Sequence, residues 1–178
     1  MNRKEKQQTT AKNIIPQMIL ILAALIILDQ ITKYLAVVYL KDRPSYPIIQ
    51  NVLVLQYLEN RGAAWGMLQN RQWFFWIITV VFLLIILFVI RKIPKTVYYR
   101  PLLITLTVLT AGAVGNFIDR VRHSYVVDFI YFEIIHFPIF NVADICVSLS
   151  VIALLILILF HYKENDFSFL SKQEQAGG

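Results

Sequence analysis

Charge is scarce in this sequence. Only 16% of its 178 residues are Asp, Glu, Lys or Arg, 58% are hydrophobic, and mean hydropathy is +0.62. Soluble globular chains are nearer a quarter charged and half apolar. The apolar excess is gathered in long blocks, which argues against a water-soluble domain and excludes a disordered chain. Cysteine occurs once, as Cys146, so there is neither a disulfide framework nor a Cys-based zinc site. Histidine occurs three times, as His123, His136 and His161, without ligand spacing, which leaves loop and interface roles. Acidic residues number 11 against 17 basic ones, and the net charge of +6 does not by itself imply nucleic acid. In a membrane protein, basic residues mostly set orientation and touch lipid headgroups.

Four blocks are long and apolar, at about 14–40, 73–90, 101–118 and 142–160. Each is near the roughly 17–25 residues that a helix needs to cross the hydrocarbon. None has a strong polar face, so buried helices of a soluble protein are a poor second reading. Arg3, Lys4, Lys6 and Lys12 precede the first block, and Arg91, Lys92, Lys95 and Arg100 crowd the linker between the second and third. Lys163 and Lys172 follow the fourth. The opposite side has Lys41, Arg43, Arg61, Arg71, Arg120 and Arg122, spread over two longer loops. The positive-inside rule therefore places both termini in the cytoplasm. Trp73 and Trp76 then start the second span at the outer interface. The basic start of the first block suits a signal peptide, but no small-x-small site follows and Asp29 interrupts it, so a retained span is expected. No internal repeat is visible.

These observations predict an all-α membrane protein: four transmembrane helices, a small extracytoplasmic β-sheet and an interfacial loop. Residues 1–162 form one domain, with the sheet at about 44–70, and 163–178 are a polar, mobile cytoplasmic tail. The sheet is read from the β-branched and aromatic run at 48–58, followed by a turn at Asn60-Arg61-Gly62. The loop at 119–141 is apolar and aromatic, which suits the membrane interface.

The acidic residues are the informative ones. Asp29, Asp119, Asp128 and Asp144 come from separate elements and fall at one depth. An ionised side chain inside a span costs roughly 2.5–3.5 kcal/mol on insertion scales. Asp29 has two readings, a pairing with Lys33 one helical turn on or a chemical role. Asp119 is read as an ion pair with Arg120 and Arg122 that anchors the end of the third span. Asp128 has no cation beside it in Val126-Val127-Asp128-Phe129, so burial should raise its pKa. Asp144 is either a favourable acid in a helix's first turn, with Asn141 as N-cap, or a reactive group. Together the last two suggest an aspartic dyad that shares one proton, the ionised member activating water while the protonated one polarises a carbonyl. Cys146 is read as an inert buried thiol, and Ser148 and Ser150 as helix residues bonded back to carbonyls. Gly112 and Gly115 favour close helix packing. Gly62 and Gly66 lie in a small-residue run where backbone can approach an extended substrate.

Five segments, read together, resemble the lipoprotein signal peptidase (signal peptidase II) family. They are Asp29-Gln30-Ile31-Thr32-Lys33, Asn60-Arg61-Gly62-Ala63-Ala64-Trp65-Gly66, Gly112-Ala113-Val114-Gly115-Asn116-Phe117-Ile118-Asp119-Arg120, Val126-Val127-Asp128-Phe129 and Phe140-Asn141-Val142-Ala143-Asp144. All five occur in family order. The resemblance implies an intramembrane aspartic endopeptidase of the bacterial cytoplasmic membrane, sensitive to the cyclic peptide globomycin. Its substrates would be diacylglyceryl-modified prolipoproteins, cut just before the lipidated cysteine. The dyad would be Asp128 and Asp144. Asn60, Gly62, Asn116, Asp119, Arg120 and Asn141 would support it or bind substrate, and Asp29 with Lys33 would be structural. No metal or other cofactor is implied. The expected partners are prolipoproteins and membrane lipids, with no nucleic acid, and the chain is expected to be monomeric. Two other classes stand against this one. A proton-coupled carrier would place its acids near mid-membrane, commonly in repeated halves. A non-enzymatic scaffold would tolerate neutralisation of both aspartates.

Overall fold

The computed structural model describes residues 3–62 and 72–170. Leu, Ile, Val and Phe fill four runs that contain no proline beyond the first turn, and each run is a helix. After a short α1 (Arg3–Gln8) come α2 (Ile14–Leu40), α3 (Gln72–Lys92), α4 (Arg100–His123) and α5 (Val142–Ile156), which runs on as a π-turn over Leu157–His161. All four long helices have the length and composition of membrane spans. Their apolar side chains are largely turned outward, among them Ile19 and Leu20 on α2, Ile77 and Leu84 on α3, and Leu155 and Ile156 on α5. Such exposure suits contact with lipid and would be an aggregation liability in water.

α4 packs against all three other spans. Its buried face combines Leu102, Leu103, Leu106 and Leu109 with the small residues Ala111, Gly112 and Gly115. The small residues set how closely the helices approach. A Cβ on Gly112 would lie 2.5 Å from the backbone oxygen of Ala143 on α5, and one on Gly115 would lie 2.5 Å from Asp29 Oδ2 on α2. The helix-packing reading of this motif is therefore the one the structure supports.

A three-stranded antiparallel sheet covers one end of the bundle, in the order β1 (Tyr46–Ile49), β2 (Leu53–Asn60), β3 (Val126–Phe132). β2 and β3 pair Leu55 with Ile130 but Leu58 with Asp128, so one extra residue bulges from β2. The bulge sets the register that brings Asn60 near Asp128.

Three expectations need correction. The third span does not stop at 118: α4 continues to His123, so Asp119 and Arg120 are helical residues and not part of a loop. The sheet is not confined to 44–70, because the segment carrying Asp128 forms its third strand. Val126, Val127, Asp128 and Phe129 are all buried, so β3 is covered on both faces and lacks the alternation that marks a half-exposed strand. The tail from Lys163 is not simply mobile either. Glu164–Leu170 forms a 3₁₀ turn at the end opposite the sheet, and Phe167 and Phe169 pack on a cluster containing Tyr98, Tyr99 and Tyr162. The small-residue run at 63–66 lies outside the described residues, as do Arg71 and Lys172.

Candidate active site

The site is assembled where β2, β3 and the first turn of α5 meet the end of α4. Asp128 projects from β3 and is 1% exposed. Its Oδ2 accepts from Asn60 Nδ2 at 2.9 Å and its Oδ1 from Asn141 Nδ2 at 2.6 Å. Both donors are neutral amides. Burial, followed by the nearby Asp144 carboxylate, pushes Asp128 from 3.8 up to about 7.

Asp144 is held by a capping box. Its backbone N–H donates to Asn141 Oδ1 at 3.0 Å, and its Oδ2 accepts from the Asn141 backbone N–H at 3.2 Å. The N-cap reading of this segment is thus correct, but it does not exhaust the residue. Oδ1 of Asp144 accepts from Asn116 Nδ2 at 2.7 Å and faces the same cleft as Asp128. The two asparagines also touch each other, with Asn141 Nδ2 donating to Asn116 Oδ1 at 3.1 Å.

Behind this layer lies a buried ion cluster. Lys33 Nζ makes three contacts: Asn116 Oδ1 at 2.8 Å, Asp29 Oδ2 at 2.9 Å and Asp119 Oδ2 at 2.9 Å. An ammonium has three N–H groups, so it is saturated. By occupying the oxygen of Asn116, Lys33 leaves the amide of that residue to point at Asp144. The expected Asp29–Lys33 pair is therefore present. Asp119 does not pair with Arg120 or Arg122 as expected: it faces α2 and takes Lys33 instead, while Arg122 is exposed.

Each structural carboxylate also anchors a backbone amide. Asp29 Oδ1 accepts from the N–H of Ala143, and Asp119 Oδ2 accepts from the N–H of Val127, at 2.9 and 3.1 Å. These are the residues immediately before Asp144 and Asp128. Gln30 ties the two acids together, with Nε2 lying 3.1 Å from Asp29 Oδ2 and 3.0 Å from Asp119 Oδ1. Gln30 was not among the sequence-derived site residues. Its signal was an amide beside an aspartate inside an apolar span.

The cleft has a volume of about 690 Å³ and is lined by Asn60, Gly62, Arg120, Asp128, Asp144 and Ser148 together with apolar Leu58, Phe137, Phe140 and Leu149. Gly62 closes a turn by donating its N–H to Asn60 Oδ1 at 3.0 Å, which leaves the Asn60 amide for Asp128. The Arg120 guanidinium lies 4.9 Å over the Phe75 ring, and among the described residues it has neither a hydrogen bond nor an ion pair. Cys146 is buried, as expected, away from any histidine partner in sequence. Ser150 departs from expectation: its Oγ is buried without a hydrogen-bond partner and does not bond back to a carbonyl.

A four-span bundle with two carboxylates facing one cleft beneath a sheet, at one end of the bundle, has the form of an integral-membrane enzyme. The pattern of the signal peptidase (SPase) II family matches residues 21–160, and the chain belongs to that family. It is a peptidase of the bacterial membrane. The lipoprotein signal peptidase of Caldanaerobacter subterraneus subsp. tengcongensis is 48% identical over 143 residues, which cover 80% of this chain and 95% of that protein. Two solved structures, both of bacterial membrane enzymes determined by the in meso method, share the fold. The one at 2.3 Å resolution is 36% identical, has a TM-score of 0.74, and the match covers 90% of this chain and 94% of its own. The one at 1.9 Å is 37% identical with a TM-score of 0.72, covering 83% and 96%.

Proposed function

We propose that this chain removes signal peptides from lipoproteins as an aspartic endopeptidase, with Asp128 and Asp144 as its catalytic pair. The observation that carries this reading is the pairing itself: two carboxylates share one cleft, and Asp128 is held near neutrality by burial and by the other acid. At neutral pH such a pair keeps one proton between its members. The ionised carboxylate takes a proton from water as the water oxygen attacks the scissile carbonyl carbon. The protonated carboxyl gives its proton to the carbonyl oxygen. Collapse of the resulting diol breaks the C–N bond, with a proton passing to the leaving amine. Asn60, Asn116 and Asn141 orient the carboxylates. Arg120, stacked on Phe75 and with no hydrogen bond among the described residues, is suited to a substrate carbonyl.

The position and lining of the cleft support a lipidated substrate. A cleft at the end of the bundle, walled by Phe137, Phe140 and Leu149, fits a diacylglyceryl cysteine. The acyl chains stay in the bilayer while the peptide bond before that cysteine meets the acids. The excess of Lys and Arg around the termini supports an orientation with both termini cytoplasmic and the sheet and cleft extracytoplasmic.

The test is an assay of purified protein on a diacylglyceryl-modified prolipoprotein, with product masses measured. Cleavage immediately before the modified cysteine, and none of the unmodified precursor, is the expected result. Undiminished turnover by a folded Asp144→Asn variant would overturn the assignment.

A further inference from the structure

A second concavity lies between α4 and α5 at the opposite end from the cleft. It is a groove of about 530 Å³, walled by Val97, Pro101, Ile104, Ala153, Ile156 and Leu157, with Arg100 at its mouth. Thr105 also lines it, but its hydroxyl is already satisfied by the carbonyl of Pro101 at 2.9 Å, so below the mouth the groove asks for no polar partner. Its α5 wall is the point at which the helix widens into the π-turn that begins at Leu157. Such turns recur at functional positions.

Arg100 is placed like a headgroup receptor. Its Nε and Nη2 both donate to Gln17 Oε1 of α2, at 3.2 and 3.0 Å. That fixes the plane of the guanidinium without neutralising it, and among the described residues no carboxylate pairs with it. The remaining N–H groups can meet a phosphate oxygen. The surroundings have the same sign. Backbone hydrogen bonds from Ala11 to Lys95 and from Tyr98 to Lys6 bring the N-terminal segment and the 93–99 linker to this end. Among the described residues it therefore collects nine Lys and Arg against three acids, Glu5, Glu164 and Asp166. One of those acids, Asp166, is buried and is bonded to Gln7, Tyr98 and the Lys163 amide.

We propose that this groove binds one anionic phospholipid of the surrounding membrane, its phosphate on Arg100 and the upper part of an acyl chain along Ile104, Ala153 and Leu157. Basic pockets between membrane helices select such headgroups. A basic peptide segment, the other long apolar-tailed ligand available to this enzyme, would be repelled by the same charges.

The experiment uses the full-length protein in mild detergent, supplied with phosphatidylglycerol or with phosphatidylcholine of identical acyl chains. Native mass spectrometry reads lipid retention, and thermal unfolding reads the stabilisation. Phosphatidylglycerol should be retained several-fold more strongly and raise Tm by several degrees more than phosphatidylcholine. Arg100→Gln should remove that difference, whereas Arg91→Gln should keep it. Ala153→Trp, which fills the groove and leaves Arg100 intact, should lower retention of phosphatidylglycerol. Equal retention of the two lipids by the unsubstituted protein would overturn the proposal. So would a preference that survives Arg100→Gln, or an equal Tm rise from soluble glycerol phosphate, which has the headgroup chemistry but no chain.

Discussion

Asp166 and Asp128 are both buried, at 6% and 1% exposure, at opposite ends of the bundle. Asp166 accepts from Gln7 Nε2 at 2.9 Å, from Tyr98 Oη at 2.8 Å and from the Lys163 N–H at 2.8 Å, and its backbone oxygen accepts from Tyr99 Oη at 2.7 Å. It stitches the N-terminal helix, the linker before α4 and the C-terminal turn into one cluster. Asp128 has two amide donors and, across the cleft, another carboxylate. Burial alone does not make an acid reactive. A carboxylate whose lone pairs are filled by protein donors serves as a tie, whereas one left facing a like charge holds a proton that chemistry can use.

The largest effect should separate these two acids. Asp128→Asn is expected to lower turnover by about 10²–10⁴-fold, the usual worth of a positioned acid–base group. Asp166→Asn should leave turnover per folded molecule unchanged. If the two variants lost activity equally, the contrast would fail.

Next comes Lys33→Met, which leaves Asp29 and Asp119 buried without their shared cation. Breaking a buried ion pair from one side costs about 3–5 kcal/mol. Denaturant unfolding in detergent should read a loss of that order, and the surviving folded fraction should turn over more slowly because Asn116 is no longer fixed on Asp144.

The pH dependence follows from Asp128. Its carboxyl titrates near 3.8 when unfolded and at about 7 when folded. The folded state holds the proton more tightly, so this group erodes stability as pH rises from about 4 to about 7, and the loss then levels off, at about 3–5 kcal/mol. Over that window the Tm of Asp128→Asn should rise relative to that of the unsubstituted protein, because Asn does not titrate. Turnover should decline above pH 7 as the shared proton is lost, with the same profile in Asp166→Asn. The smallest effect is the stability change in Asp166→Asn itself. It should lower stability by about 1–3 kcal/mol through the donors left unmatched, as read by thermal unfolding.

The sequence made some of this legible and concealed the rest for physical reasons. The spans were visible because lipid demands continuous apolar stretches, and Asp29–Lys33 because residues four apart share a helix face. The partner of Asp119 was misread because sequence offers Arg120 and Arg122, while the helix turns Asp119 toward a lysine from another span. β3 was hidden because a strand buried on both faces does not alternate. Asp128 and Asp144 stood out as acids in apolar segments and Asn141 as a helix N-cap, whereas Asn60 and Asn116 were named from motifs whose spacing has no local rationale. Only the bulge in β2 and the cap of α5 bring them within hydrogen-bond distance.

The two amide anchors at Val127 and Ala143 have a consequence for how this family can vary. Each is a contact made by a peptide bond, and every amino acid but proline supplies that N–H. At position 127 the side chain is therefore free to change within the space available while the anchor persists. Val127→Ala and Val127→Ile should both support turnover, and Val127→Pro should abolish it despite altering no side chain of the site. Side-chain identity alone does not show that what the site uses at this position is the backbone N–H. The atom that holds Asp128 in place is nevertheless present there, in a part of the residue that the genetic alphabet hardly varies.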